Sequence, residues 1–172
     1  MTTQPHIADS SFPAPDFTLQ RDDGAEVQLS SLWAKRPLVL VFLGDLANPF
    51  TGDNAAQLRD ADEAFAKVDA DIAAIVASAP EQSLRFRHHW LLPYPLLSDP
   101  GRRAYEAFGV RPSSSATFVV ATDGLVTYAR HASNLADYPP TSALIAAICD
   151  ATGAEPPAPP PPSLVLPQDE PL

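Results

Sequence analysis

An apolar run of eight residues, Pro37–Gly44, most narrows the folds open to this chain. Its sequence, PLVLVFLG, contains no charged or hydrogen-bonding side chain and is rich in β-branched and aromatic residues. A strand with one face in water would alternate apolar and polar residues, whereas a strand covered on both faces reads as a continuous apolar run. The run therefore predicts a central strand whose sheet carries helices on both sides.

The segments that follow this run alternate between helix and strand patterns. Residues 51–68 repeat apolar side chains at helical spacing, which predicts one helix. The repeating residues are Leu58, Ala61, Phe65 and Val68. Thr51 or Asp53 is the expected N-cap. The next apolar run, DIAAIVAS (71–78), predicts a second core strand, parallel to the first because a helix connects the two.

Two Asp-Gly pairs, Asp23-Gly24 and Asp123-Gly124, predict β-hairpins near the two ends of the domain. Helices are expected from Pro80, from near Pro100 to Gly109, and before Gly153. The predicted order is a hairpin, β-α-β-α, a short β-α, a second hairpin and a last helix. This order indicates an α/β fold with a mixed sheet flanked by helices.

Composition divides the chain into one domain and two tails. A length of 172 residues fits a single domain with tails. Residues 1–11 are polar and aperiodic and are expected to be disordered, residues 12–153 form the domain, and residues 154–172 form a disordered tail. The stretch 155–172 holds eight prolines in eighteen positions and no basic residue. Such a composition forms no packed core, but its apolar island SLVLP leaves open a docking role on a protein partner.

The charge balance excludes two classes of partner. The chain carries 21 acidic and 11 basic residues, for a net charge of −10. Nucleic acids and anionic membrane surfaces both require basic patches, so neither is an expected partner. The first residues lack a basic, apolar signal pattern, and no apolar run approaches the length of a membrane span. A cytoplasmic location is the default expectation.

Cysteine and histidine usage argues against a metal site. Cys149 is the one cysteine, so neither an intrachain disulfide nor a multi-thiolate zinc site can form. His88 and His89 are adjacent, and neighbouring residues of a helix point in different directions. No metal or other cofactor is predicted.

Several motifs, in order, resemble the peroxiredoxins of the alkyl hydroperoxide reductase/thiol-specific antioxidant family, whose fold is thioredoxin-like. They are FPAPDFTLQRDDGAEVQLSSLWAKRPLVLVFLGD, AAQLRDADEAF, YPLLSDPGRRAYEAFGV and ATFVVATDGLV, and together they cover roughly residues 12–150. The resemblance implies a central mixed sheet flanked by helices in a single domain. It also implies a reactive thiolate at the start of the helix after the first core strand, where unpaired N–H groups and the helix dipole lower a thiol pKa.

This chain has no cysteine at the position that the resemblance implies. Where relatives carry Cys-Pro-x-Cys or Thr-x-x-Cys, it has Asn48-Pro49-Phe50-Thr51. In the first alignment Asn48 and Thr51 replace the two cysteines, and in the second Thr51 replaces the reactive one. A hydroxyl cannot pass through sulfenic acid or disulfide states, so the redox reaction of the family is excluded at Thr51. Asn48, Phe50 and Thr51 are instead predicted to contact a ligand, and the absence of charge among them favours a neutral partner.

Two further positions depart from the family. The peroxide-binding arginine expected two residues before Thr117-Phe118 is replaced by Ser115. The cis-proline that thioredoxins place just before that threonine is replaced by Ala116.

The leading hypothesis is a peroxiredoxin-like binding or interaction module without thiol peroxidase or disulfide reductase activity. The alternative is a residual thiol-dependent antioxidant oxidoreductase that uses Cys149 or a partner thiol. Cys149 lies near the end of the last helix, where the helix dipole disfavours a thiolate. The resemblance also makes a homodimer a plausible assembly.

Overall fold

The fold is built around the strand that the apolar run predicts. A computed structural model describes residues 11–111, 114–134 and 137–153 of the chain. The central strand, Leu38–Phe42, is buried at every position. It pairs in parallel with Asp71–Val76 and antiparallel with Ala116–Val120, which confirms a mixed sheet. The predicted tails lie outside the described residues, except for Ser11.

Fourteen elements follow one another in the described part of the chain. They are β1 (Phe12–Pro13), β2 (Thr18–Arg21), β3 (Glu26–Gln28), α1 (Leu29–Trp33), β4 (Leu38–Phe42), α2 (Pro49–Asp60), α3 (Asp62–Lys67), β5 (Asp71–Val76), α4 (Pro80–Trp90), β6 (Leu96–Ser98), α5 (Arg103–Ala107), β7 (Ala116–Val120), β8 (Leu125–His131) and α6 (Thr141–Thr152). The strands form one sheet in the order β1-β8-β7-β4-β5-β6-β2-β3. Both predicted hairpins are present, as β2–β3 and β7–β8.

Each face of the sheet has its own apolar core. On one face Val39 and Val41 of β4 pack with residues of α2, α3, α4 and α6. On the other face Leu40 and Phe42 pack with residues of α1 and α5. Helices therefore cover both faces, as expected for a central strand without polar side chains. No helix in the described ranges is long and apolar enough to cross a membrane.

The helix expected over residues 51–68 differs from the structure in two ways. It is divided into α2 and α3 at Ala61, although the predicted apolar stripe is buried throughout. The predicted N-caps, Thr51 and Asp53, are wrong, because α2 begins at Pro49 and Asn48 caps it. Proline suits the first position of a helix because its missing N–H needs no partner there.

The helix expected from near Pro100 starts later, at Arg103. The buried carboxylate of Asp99 accepts hydrogen bonds from the N–H groups of Arg103, Ala104 and Tyr105. These bonds satisfy N–H groups of the first turn of α5, so the helix starts after Asp99 and Arg102.

Tyr105 joins α5 to the ends of the two central parallel strands. Its hydroxyl donates to the Leu43 carbonyl at 2.6 Å and lies 2.9 Å from the Ile75 carbonyl. Burial, together with the nearby Asp99 carboxylate, raises the pKa of Tyr105 above its usual range. The hydroxyl therefore stays protonated and remains a donor, which fixes the chain at the point where it leaves β4.

Replacing Tyr105 with phenylalanine tests this anchor. Tyr105→Phe keeps the ring that packs edge-on against Phe42, with ring centroids 4.9 Å apart, but removes the donor to Leu43. We expect the free energy of unfolding to fall by about 1–2 kcal/mol, the cost of a lost buried hydrogen bond. Urea denaturation measures this change. Tyr138→Phe is the matched control, since Tyr138 is only partly buried, and equal losses in the two variants would contradict the anchor role.

Candidate functional site

The candidate site begins where the chain turns from β4 into α2. The Asp45 carboxylate accepts a hydrogen bond from the Ala47 N–H, and the Asp45 carbonyl accepts one from the Asn48 N–H. These two bonds close a tight turn at the carboxyl ends of β4 and β5, the edge of a parallel sheet where ligands usually bind.

Asn48 occupies the hydrogen-bond donors at the start of α2. Its side-chain oxygen accepts from the Phe50 N–H at 2.9 Å, and its carbonyl accepts from the Thr51 N–H at 3.0 Å. The free N–H groups of a first helical turn are what make a helix N-terminus attractive to an anion. Here two of those groups already bind an uncharged residue of the chain itself.

Thr51 faces the interior of the protein. The residue is 2% exposed, and its hydroxyl oxygen makes no hydrogen bond within the described residues. A threonine nucleophile requires a base in hydrogen-bond contact, and the part of the chain that the structure describes provides none. Phe50, by contrast, is 48% exposed.

Ser115 and Ala116 lie at the start of β7 and both are buried, but Ala116 packs in the core on the face of the sheet opposite α2. The Asn54 amide donates to the Ser115 hydroxyl at 3.3 Å, a contact between α2 and the β7 end of the sheet. Sequence analysis did not identify Asn54. The contact is neutral and buried, and it offers no charge to an incoming ligand.

Trp90, at the end of α4, covers the first turns of α2. Its indole lies so close to Gly52 that a Cβ atom there would overlap the ring. The Arg59 guanidinium donates to the Trp90 carbonyl at 2.6 Å and so binds the last turn of α4 to α2. In the sequence, only Gly52 indicates this contact, because a glycine inside a helix pattern often marks a close neighbour.

A groove of about 780 Å³ lies between the start of α2 and α4. We call it the α2–α4 groove. It is lined by Asp45, Leu46, Ala47, Asn48, Pro49, Ser78, Gln82, Arg85, Phe86, His89 and Trp90. Of the predicted ligand contacts, Asn48 lines the groove, while Phe50 and Thr51 do not. Arg85 of α4 also lines the groove and adds a positive charge beside the uncharged turn, on which the expectation of a neutral partner was based.

A second, smaller hollow of about 210 Å³ adjoins the groove at Asp45, Leu46 and Ser78. Its wall includes Arg102 and Tyr105. The guanidinium of Arg102 lies over the ring of Tyr105, 5.8 Å from its centroid. The two hollows together follow the carboxyl ends of β4 and β5.

The remaining candidate residues lie apart from this groove or form no ligand set. Cys149 is 4% exposed and packs among core residues of α6. His88 and His89 are both exposed near the end of α4, and the ring of His89 stands edge-on to Trp90. Within the described ranges, no three histidine, cysteine, aspartate or glutamate residues are grouped to hold a metal ion.

Comparison with known proteins gives matches over most of the domain. Residues 12–129 match the AhpC/TSA family. The chain is 31% identical over 121 residues to the chloroplastic peroxiredoxin Q of Oryza sativa subsp. japonica, covering 67% of this chain and 55% of the rice protein. It is 35% identical over 97 residues to peroxiredoxin Bcp of Bacillus subtilis, covering 56% of this chain and 61% of that protein. The matches thus span little more than half the length of these curated relatives.

Solved structures agree with the fold. The structure of peroxidoxin BcpB from Mycobacterium tuberculosis matches with a TM-score of 0.73 and 25% identity, covering 84% of this chain and 97% of that one. A peroxiredoxin-like protein from Aquifex aeolicus matches with a TM-score of 0.71 at 15% identity, covering 82% and 86%.

Enlarging Gly52 tests the packing that closes the site. Gly52→Ala forces the Trp90 indole to move, and we expect a loss of about 1–3 kcal/mol in unfolding free energy, as for other overpacked positions. The Trp90 fluorescence spectrum should change as well, because the indole leaves its contact with α2. Urea denaturation followed by fluorescence measures both quantities.

Gly101→Ala is the matched control. A Cβ atom at Gly101 would meet its nearest neighbour, Cγ of Arg103, at 3.9 Å, an ordinary contact. If Gly52→Ala behaves like this control, the close contact between Trp90 and α2 is refuted.

Proposed function

Because this chain belongs to the AhpC/TSA family, we propose that it is a peroxiredoxin-like protein that binds a partner through the α2–α4 groove and lacks thiol peroxidase and disulfide reductase activity. The proposal depends on the burial and the hydrogen bonding at the N-terminus of α2. The residue at the reactive position is a buried threonine, and Asn48 binds the nearby backbone donors.

The redox chemistry of the family requires a thiol sulfur, and Thr51 has a hydroxyl oxygen instead. A peroxidase thiolate attacks the peroxide oxygen and becomes a sulfenic acid, which a second thiol then reduces. The Thr51 hydroxyl has no corresponding oxidised state. Nor is it poised for hydrolysis, since no histidine or carboxylate of the described residues hydrogen-bonds to it. The proposal therefore assigns Thr51 to packing.

The groove supports binding because it is concave and chemically mixed. The partly exposed Trp90 supplies aromatic surface, while Gln82 and Arg85 supply donors on the exposed side of α4. A cleft lined by apolar groups with a few polar groups is the usual form of a binding site. Asn48 and Pro49 form the opposite wall, so the turn that carries catalysis in relatives here serves recognition.

The alternative activity would depend on Cys149. That thiol lies in the core beside Leu144 and Ile148, where neither a peroxide nor a reductant reaches it without local opening. Its place near the end of α6 also disfavours a thiolate. No observation favours this alternative over the binding role.

A peroxide-consumption assay tests the proposal. The purified full chain is mixed with hydrogen peroxide, or with an organic hydroperoxide, and with thioredoxin, thioredoxin reductase and NADPH. We expect NADPH oxidation at the rate of the protein-free mixture, because no thiol is available to the peroxide. A peroxiredoxin with its reactive cysteine serves as the positive control.

The same assay on Cys149→Ser distinguishes the proposed function from the alternative oxidoreductase activity. If the wild-type chain turns over peroxide and Cys149→Ser does not, the alternative holds and the proposed function is wrong. Turnover that survives this substitution would overturn both.

We also propose that the protein acts in the cytoplasm and that two copies can pair. The short outer strands β1 and β3 leave sheet edges available for pairing in the described part of the chain.

A further inference from the structure

The chemistry of the α2–α4 groove points to an extended, donor-poor and acidic ligand. Its aromatic surface is the partly exposed Trp90, with the ring of Phe86 buried beside it, and aromatic surface is what polyproline segments dock on. The exposed groups of Gln82 and Arg85 present N–H donors along α4. A proline-rich segment offers carbonyl acceptors but few N–H donors, so groove and segment are complementary in hydrogen bonding.

The charge of the groove lining further limits the chemistry of its ligand. In a chain with a net charge of −10, most of the surface repels an acidic segment. The groove differs, because its lining includes Arg85 and only one acidic residue, Asp45. That carboxylate already accepts a hydrogen bond from the Ala47 N–H. Arg102, on the adjoining hollow, adds a further positive charge along the same edge.

The chain itself contains a segment of this kind. Residues 155–172 hold eight prolines, the acidic residues Glu155, Asp169 and Glu170, and no basic residue. Between them lies the apolar group Leu164–Leu166. We propose that this segment docks in the α2–α4 groove of its own domain, with Leu164–Leu166 against Trp90 and the carboxylates of Asp169 and Glu170 toward Arg85 and Arg102.

The connection allows this docking. Helix α6, which leads into the segment, packs on the same face of the sheet as α2 and α4. In polyproline conformation the chain from Gly153 to Leu164 spans roughly 34 Å, most of the diameter of about 40 Å expected for a domain of this size. A short tether also gives an effective concentration in the millimolar range, so a contact that is weak between separate molecules suffices within one chain.

The consequence is that the segment competes with the partner of the groove. A partner binds only by displacing residues 155–172, so the segment acts as an internal inhibitor of binding. The inference rests on the proposed binding role of the groove, but not on the loss of peroxidase activity.

Paramagnetic relaxation in the full chain tests the docking. A nitroxide is attached through Ser163→Cys, next to Leu164–Leu166. Cys149 is 4% exposed and should not react, which labelling of the wild-type chain verifies. We expect the backbone amide signals of residues 45–48 and 82–90 to lose about half of their intensity relative to the reduced label, since tether and weak affinity give comparable docked and free populations.

Charge reversal provides the matched comparison. In Arg85→Glu the ratio of docked to free chain should fall about fivefold, the range expected for reversing an exposed charge. The groove signals should therefore recover. Arg111→Glu should leave them unchanged, because Arg111 is exposed, does not line the groove and follows Val110 on the opposite face of the sheet. If both variants behave alike, or if the broadening falls outside the groove, the inference is wrong.

A mixing experiment separates docking within one chain from docking between copies. Isotope-labelled chain without nitroxide is combined with unlabelled chain that carries it. Absence of broadening supports docking within one chain, and broadening equal to that in the single-chain sample overturns it. Failure of docking leaves the proposed function intact, whereas peroxide turnover would refute that function without affecting this result.

Discussion

Burial of β4 on both faces is the constraint on which the rest of the structure depends. A strand with no polar side chain requires a helix layer on each side, and the two apolar cores of the domain meet this requirement. The strand also fixes where the site lies. The Tyr105 hydroxyl donates to the Leu43 carbonyl where the chain leaves β4. This hydrogen bond fixes the position of the turn that leads to Asn48 and to the start of α2. Every property of the candidate site follows from that position and from what α4 brings to it.

The first turn of α2 combines occupied backbone donors with a buried hydroxyl. Asn48 binds the N–H groups of Phe50 and Thr51, and the Thr51 side chain is turned into the core. Trp90 packs against Gly52. A groove lies beside this turn, and its lining includes Trp90 and Arg85. In the binding role that we propose, the strand end and the helix start contribute a wall of the groove and no reactive atom.

The fold was predictable from local patterns, but the site was only partly so. Continuous apolar runs identified β4 and β5, and Asp-Gly pairs identified both hairpins, because these signals depend on few neighbouring residues. The start of α2 was misplaced because Asn48, Thr51 and Asp53 are all good capping residues, and only Pro49 at the first helical position separates them. The sequence did not predict that Arg85 and Trp90 line the site, because local patterns do not show which helices contact each other. Only Gly52 indicated the close approach of α4 to α2.

The reactivity of a thiol introduced at Thr51 tests the central claim most directly. In Thr51→Cys the thiol takes a position that both alignments with the family match to a cysteine, and its alkylation rate is followed against pH by mass spectrometry. We expect a thiol pKa at or above the ordinary value of about 8.5, with slower alkylation than for Ala34→Cys on the exposed end of α1, because Asn48 occupies nearby donors and the position is buried. A pKa lowered to about 7 or below, as at activated helix N-termini, together with rapid reaction with peroxide, would contradict it.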